Sequence, residues 1–127
     1  MGDEIMYGRR PETTVPSALS LETVFETLSD QRKRYVLYAL YRAEGNSLTI
    51  HRLARQVHGM EGEKQTTTGQ GPEHVADDLR QRRLPELATT GAVEYDERSE
   101  TVRYHRAPSL EEWLEHAEYK EGKRPGG

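Results

Sequence analysis

Residues 72–104 read PEHVADDLRQRRLPELATTGAVEYDERSETVRY, and a change of period inside this stretch decides the fold. Pro72 suits the first turn of a helix, where a missing N–H is no loss, and Glu73 suits the positive helix N-terminus. Val75, Ala76 and Leu79, followed by Leu84 and Leu87, supply an apolar stripe. Pro85 lacks the N–H that a continuing helix needs, so a kink or break is expected there. After Thr89-Thr90-Gly91 the period falls to two. Ala92-Val93-Glu94-Tyr95 and Thr101-Val102-Arg103-Tyr104 alternate apolar and polar, with the charged segment Asp96 to Glu100 between them. This is a helix running into a two-stranded hairpin.

Upstream, Ser20 is an N-cap, and Leu21, Val24, Phe25 and Leu28 recur on one face of a short helix. Ser29 or Asp30 caps a second helix, Gln31 to Ala43, with Val36, Leu37 and Leu40 on one face and Glu44-Gly45-Asn46 as its stop. Ser47-Leu48 is a short extended segment. Thr49 caps a third helix, Ile50 to Val57, with Ile50, Leu53, Ala54 and Val57 as its stripe. From His58 to Gly71 four glycines and a lone Met predict a long, mobile loop. Downstream, Ser109-Leu110-Glu111-Glu112 is a capping box opening a last helix, with Leu110, Trp113, Leu114 and Ala117 on its apolar face.

The chain has 127 residues, enough for one domain. Leu, Ile, Val and Phe make up only about 17% of it, below the roughly 20% that, with high net charge, marks disorder. The formal net charge of −4 is small, so a compact core with disordered ends, completed by a second subunit, reconciles the two. The boundaries expected are a disordered arm at 1–18, a helix-and-hairpin domain at 19–106, a dimerisation helix at 107–121 and a disordered tail at 122–127. No apolar run is long enough to span a membrane and no apolar leader opens the chain, which points to the cytoplasm. The absence of Cys excludes a disulfide scaffold, a Cys-type zinc site and a thiol nucleophile.

Three helices followed by a hairpin is the order of a winged helix-turn-helix, a mainly α (α+β) fold with a two-stranded wing, here with an extra C-terminal helix. Particular residues carry a resemblance. Leu19-Ser20-Leu21, Leu28-Ser29-Asp30-Gln31-Arg32-Lys33-Arg34-Tyr35-Val36-Leu37, then Leu84-Pro85-Glu86-Leu87 and Gly91-Ala92-Val93-Glu94-Tyr95-Asp96 resemble a haloarchaeal family of small winged-helix proteins. Its members are described as a domain of unknown function or as predicted transcriptional regulators. The resemblance covers about residues 19 to 104 and implies the winged-helix fold and binding to double-stranded DNA.

Three basic groups are the candidates for that contact: Arg32, Lys33 and Arg34 on the second helix, Arg52 and Arg55 on the third, and Arg80, Arg82 and Arg83 on the fourth. Residues 30–58 are net basic and residues 109–121 net acidic, the segregation expected of one face for phosphate and another for a partner. On the fourth helix Arg80 and Gln81 point outward and have base-edge geometry, Arg toward guanine and Gln toward adenine. Arg82 lies at the edge of the buried stripe, and Arg83 is within reach of Glu86 along the helix. Asp77 and Asp78, side by side, are read as orienting the neighbouring arginines. Arg98 and Arg103 are the wing candidates, on a wing that also carries four acids.

Tyr35, Tyr38 and Tyr41 form the amphipathic border of a core or of a subunit interface. Leu110, Trp113, Leu114 and Ala117 are assigned to a homodimer interface, because a large aromatic on a terminal helix has little to cover it in a monomer. The five His are scattered and no nucleophile–base, phosphate-loop or dinucleotide motif is present, so neither catalysis, a metal nor a cofactor is expected. The leading expectation is a dimeric DNA-binding transcriptional regulator reading DNA with residues 72–84. The alternative is a winged-helix protein–protein interaction module, which Asp77, Asp78 and the acidic wing favour.

Overall fold

The computed structural model describes residues 19–62 and 71–123. The N-terminal arm 1–18, residues 63–70 of the expected loop, and 124–127 of the tail lie outside the described residues.

Local capping sets the first three helices. Ser20 accepts the Thr23 N–H at 3.1 Å and opens α1 (Leu21–Leu28). Asp30, not Ser29, caps α2 (Gln31–Arg42), accepting the Lys33 N–H at 3.0 Å. Asn46, in the left-handed region at φ +55°, closes α2 by donating its side-chain amide to the Leu40 and Tyr41 carbonyls. The chain then runs through β1 (Ser47–Thr49) into α3 (Ile50–Glu61), where Thr49 accepts the Arg52 N–H.

Helix α3 is longer than expected. His58 to Glu61 are helical rather than loop, because Met60 extends the stripe of Ile50, Leu53, Ala54 and Val57 and is buried with it.

The helix quoted first is one continuous run in three parts: α4 (Pro72–Asp78), a π-helical turn (Leu79–Arg83) and α5 (Leu84–Thr89). Pro85 therefore neither breaks nor ends it. The Leu84 N–H bonds the Leu79 carbonyl five residues back, so the proline ring meets a widened turn rather than a colliding carbonyl. The inserted residue also carries the buried set from Val75, Ala76 and Leu79 to Leu84 and Leu87.

The hairpin of β2 (Val93–Asp96) and β3 (Thr101–Tyr104) gains a third strand, giving an antiparallel sheet in the order β1-β3-β2. Val102 sits at its centre, opposite Leu48 on one side and Tyr95 on the other. Helices α2, α3 and α4–α5 with this sheet fit the winged helix-turn-helix arrangement. Val36, Leu37, Leu40, Ile50, Leu53, Leu79, Leu87 and Val102 meet in one core.

The last helix, α6 (Pro108–Glu121), starts with Ala107 as N-cap, not Ser109, so the capping box is misplaced. Glu111 supplies part of its function instead, accepting the Ala107 N–H at 3.3 Å and the Tyr104 hydroxyl at 2.9 Å.

This helix packs on the chain's own core. Leu110 and Leu114 are fully buried in the chain's own core and Ala117 packs against it, so these residues are corrected from subunit interface to intramolecular packing. Trp113 remains 40% exposed and meets Phe25 edge-to-face at 5.2 Å. Phe25 and Leu21, on the same apolar face of α1, are also exposed; only Val24 of that stripe is fully buried. Among the described residues, no helix is long and apolar enough to cross a membrane.

Candidate nucleic-acid interface

The basic start of α2 is turned inward. Arg32 donates to Glu61 at 2.7 Å and to Asp78 at 3.0 Å, tying α2 to the end of α3 and to α4. Arg34 holds Glu121 at 2.6 Å and caps α1 through the Leu28 carbonyl at 2.7 Å. Lys33 lies 2.9 Å from Glu86, which takes the place of the expected Arg83–Glu86 pair. Arg83 instead faces Asp30 at 3.5 Å and Asp78 at 3.6 Å, with its Nε buried. These four residues, candidates expected at DNA, each link helices in the free chain, held among carboxylates of their own fold.

The acidic helix has a matching role. Three glutamates of α6 face α2: Glu121 accepts from Arg34 and from the Tyr38 hydroxyl at 2.8 Å, Glu118 from Arg42, and Glu115 from the Tyr41 hydroxyl. The Arg34 guanidinium, with Tyr38 and Tyr35, holds the Glu121 carboxyl below its ordinary 4.5 against the opposing effect of burial. Arg106 does the same for Glu111, with burial opposing and Tyr104 assisting. Burial and then the Glu121 carboxylate push the Tyr38 hydroxyl well above its usual 10. The basic and acidic segments therefore neutralise each other within one chain, and the tyrosine row is their shared border. Tyr35 and Tyr38 are buried outright.

On α4 the adjacent acids do orient arginines. Asp77 accepts from Arg80 at 3.0 Å, while Asp78 faces Arg32 and Arg83. Arg80 also approaches Glu100 at 3.8 Å, so it is less open to bases than its sequence position implies. Glu100 was not singled out by sequence, yet three elements meet at it. Its carbonyl accepts the Ile50 N–H at 2.8 Å and its carboxylate lies 3.4 Å from His51, which docks the wing on the start of α3.

What remains uncovered is a different set. Arg52 and Arg55 on α3, Gln81 and Arg82 on the fourth helix, and Arg98 and Arg103 on the wing are exposed, and their side chains make no hydrogen bond or ion pair among the described residues. His74, Asp77 and Gln81, at i, i+3 and i+7, form the outer face of the fourth helix, opposite buried Val75, Ala76 and Leu79. Arg55 borders a notch between α3 and α4 together with His51, Pro72 and Glu73. The Arg98 N–H bonds Asp96 at 3.0 Å and shapes the wing tip. Among the described residues, no group of three His, Cys, Asp or Glu is placed to hold a metal ion.

A family model matches residues 25–103, from inside α1 to the end of the wing. The chain belongs to the family described as a domain of unknown function, DUF7344. The DUF7344 region takes in α2, β1, α3, the fourth helix and the hairpin, and leaves α6 outside. No curated protein and no solved structure matches the chain.

Two residues of the DUF7344 region escaped the sequence reading, each for its own reason. Glu61 was placed in a loop, although Met60 at i+3 from Val57 was the available signal that α3 continues. Gln56, on the side of α3 away from the notch, has a buried Oε1 with no hydrogen-bond partner, which no spacing reveals.

Proposed function

We propose that this chain is a cytoplasmic, sequence-specific regulator of transcription that binds double-stranded DNA as a dimer, of the kind the haloarchaeal winged-helix resemblance implies. One observation carries the reading. The arginines of α2 are engaged within the fold, whereas the arginines whose side chains make no hydrogen bond or ion pair among the described residues lie on α3, the fourth helix and the wing, the three elements a winged helix lays along a duplex. In this reading Gln81 meets base edges, with Arg82 beside it. Arg52 and Arg55 neutralise phosphates, and Arg98 and Arg103 hold the backbone beside the wing. Arg80 is a latch between helix and wing. The acids that argue against DNA are partly answered, because Asp77 and Asp78 are each opposite an arginine. Two copies associate through the exposed Leu21, Phe25 and Trp113 face of α1 and α6, which packs on α2 while the fourth helix packs on α3.

Fluorescence anisotropy with random and genomic duplexes across salt tests this. A regulator shows a steep salt slope and prefers a cognate site over bulk DNA.

The second reading, a protein-interaction module, draws on one feature. Glu73, exposed beside Asp77, keeps the outer face of the fourth helix acidic at its start. Absence of any saturable duplex binding at low salt supports that module and ends the DNA reading.

A further inference from the structure

Away from the wing, the outer side of α3 and the end of α6 enclose a cleft of about 490 Å³, within the usual size of small-ligand sites. Arg52, Arg55 and Lys123 stand around it, and none has a polar partner among the described residues. Bare cations are not rare on this molecule, but Arg82, Arg98 and Arg103 are not gathered around one concavity. A second observation points inward. Gln56 lines the same cleft, and its Oε1 is buried without a hydrogen bond, an orphan that a ligand or a turned carboxamide would satisfy. A third concerns the floor. Gly59 lies inside α3, where glycine weakens a helix relative to alanine, yet a Cβ built there meets no atom within 4 Å. Packing does not require that glycine; its effect is to leave the space above it open, beside the apolar surface of Met60.

We propose that this cleft binds a phosphate group. Two guanidinium forks at i and i+3 and an ammonium from the facing helix end surround the oxygens with donors, and the Gln56 carboxamide, turned so that its NH2 replaces the unpaired Oε1, supplies a further one. The phosphate has two sources of the same chemistry, a free phosphate ester acting as an effector or the backbone of a bound duplex. The site's assignment does not depend on the DNA reading, since the free anion is tested without DNA.

The test is an amide-shift titration of the full chain with inorganic phosphate, chloride being exchanged to hold ionic strength constant. Saturable shifts confined to residues 52–60 and 122–123 are expected. Gly59→Leu, which fills the space, and Arg55→Gln each weaken the binding by about tenfold or more, whereas Arg106→Gln, whose guanidinium is paired with Glu111 away from the cleft lining, leaves it unchanged. Melting curves of the variants confirm that they are folded, and replacing a helix glycine favours that. Shifts that never saturate, or that survive both cleft variants, overturn the proposal. A short duplex then identifies the source. Unchanged duplex affinity in Gly59→Leu assigns the site to a free ester. Competition between phosphate and duplex, lost in Gly59→Leu, assigns it to the DNA backbone. A chain that binds phosphate and no duplex keeps this site and loses the DNA function.

Discussion

Arg34 and Arg55 belong to helices joined by a single short strand, and the fold treats them in opposite ways. Arg34 ends in a bidentate pair with Glu121 and a bond to the Leu28 carbonyl, while Arg55 ends in solvent beside the notch at the start of α4. The cause is coverage. Helix α2 is packed by α1, α3, α6 and β3, so a long side chain leaving it runs into a neighbour that carries a carboxylate or a carbonyl. Helix α3 is packed along one side and leaves its outer side bare. A run of basic residues is therefore no measure of a binding face until the elements over it are known.

That contrast is broken most strongly at Arg32. Replacing it with Ala strands Glu61, whose side chain is only 4% exposed, and leaves mostly buried Asp78 with Arg83 alone. A loss of about 3 kcal/mol in urea unfolding is expected, whereas Arg55→Ala should stay within about 0.5 kcal/mol. Comparable losses from the two would mean that α3 is covered in solution.

The α2–α6 seam gives the next effect, and it depends on pH. Glu121 and Glu111 titrate below their ordinary 4.5 in the fold, so their contribution is complete above that value and is lost as pH falls through the lowered one. Tyr38 has the opposite sign: its raised value means that stability falls as pH rises past about 10, where the unfolded hydroxyl ionises. Glu121→Gln should cost about 2 kcal/mol at neutral pH and flatten the acid limb of a thermal-melt series. An unchanged acid limb removes the seam from the account.

On the uncovered side the effects are on binding. Gln81→Ala should cost about 1–2 kcal/mol on a cognate duplex, mainly by relaxing specificity, while Arg80→Ala costs less because Asp77 and Glu100 already hold that side chain. A larger loss at Arg80 would show that the latch opens on DNA. Arg52→Ala should weaken all duplexes alike and reduce the salt slope by about one unit, a change that Lys33→Ala should not produce. The smallest change to the fold and the clearest to assembly is Trp113→Ser. Sedimentation should show dissociation with little loss of secondary structure, and an intact dimer would place the interface elsewhere.

Much of the architecture was legible because it is local. Ser20, Asp30 and Thr49 each accept the N–H three residues on, an interaction settled within one turn of chain. The helix-to-hairpin change of period at Gly91 is equally local, as is the orienting of Arg80 by Asp77. Where sequence reading failed, partners distant along the chain decided the outcome. The stripe of α1 was read as one face of a short helix, yet of its four residues Leu21 and Phe25 stay largely exposed, Phe25 touching Trp113 of α6 only edge-on. The stripe of α6 was read as awaiting a second subunit, yet α1 and α2 of the same chain cover Leu110 and Leu114.

By itself, then, the sequence determined the caps, the apolar periods and the order of elements, since these depend on neighbours within about four residues. Only the tertiary structure decided which arginines are available. Glu61, 29 residues from Arg32, and Glu121, 87 residues from Arg34, reach their partners because the helices that carry them pack on α2. Ion pairing follows distance in space, and a linear reading of charge holds no record of that distance.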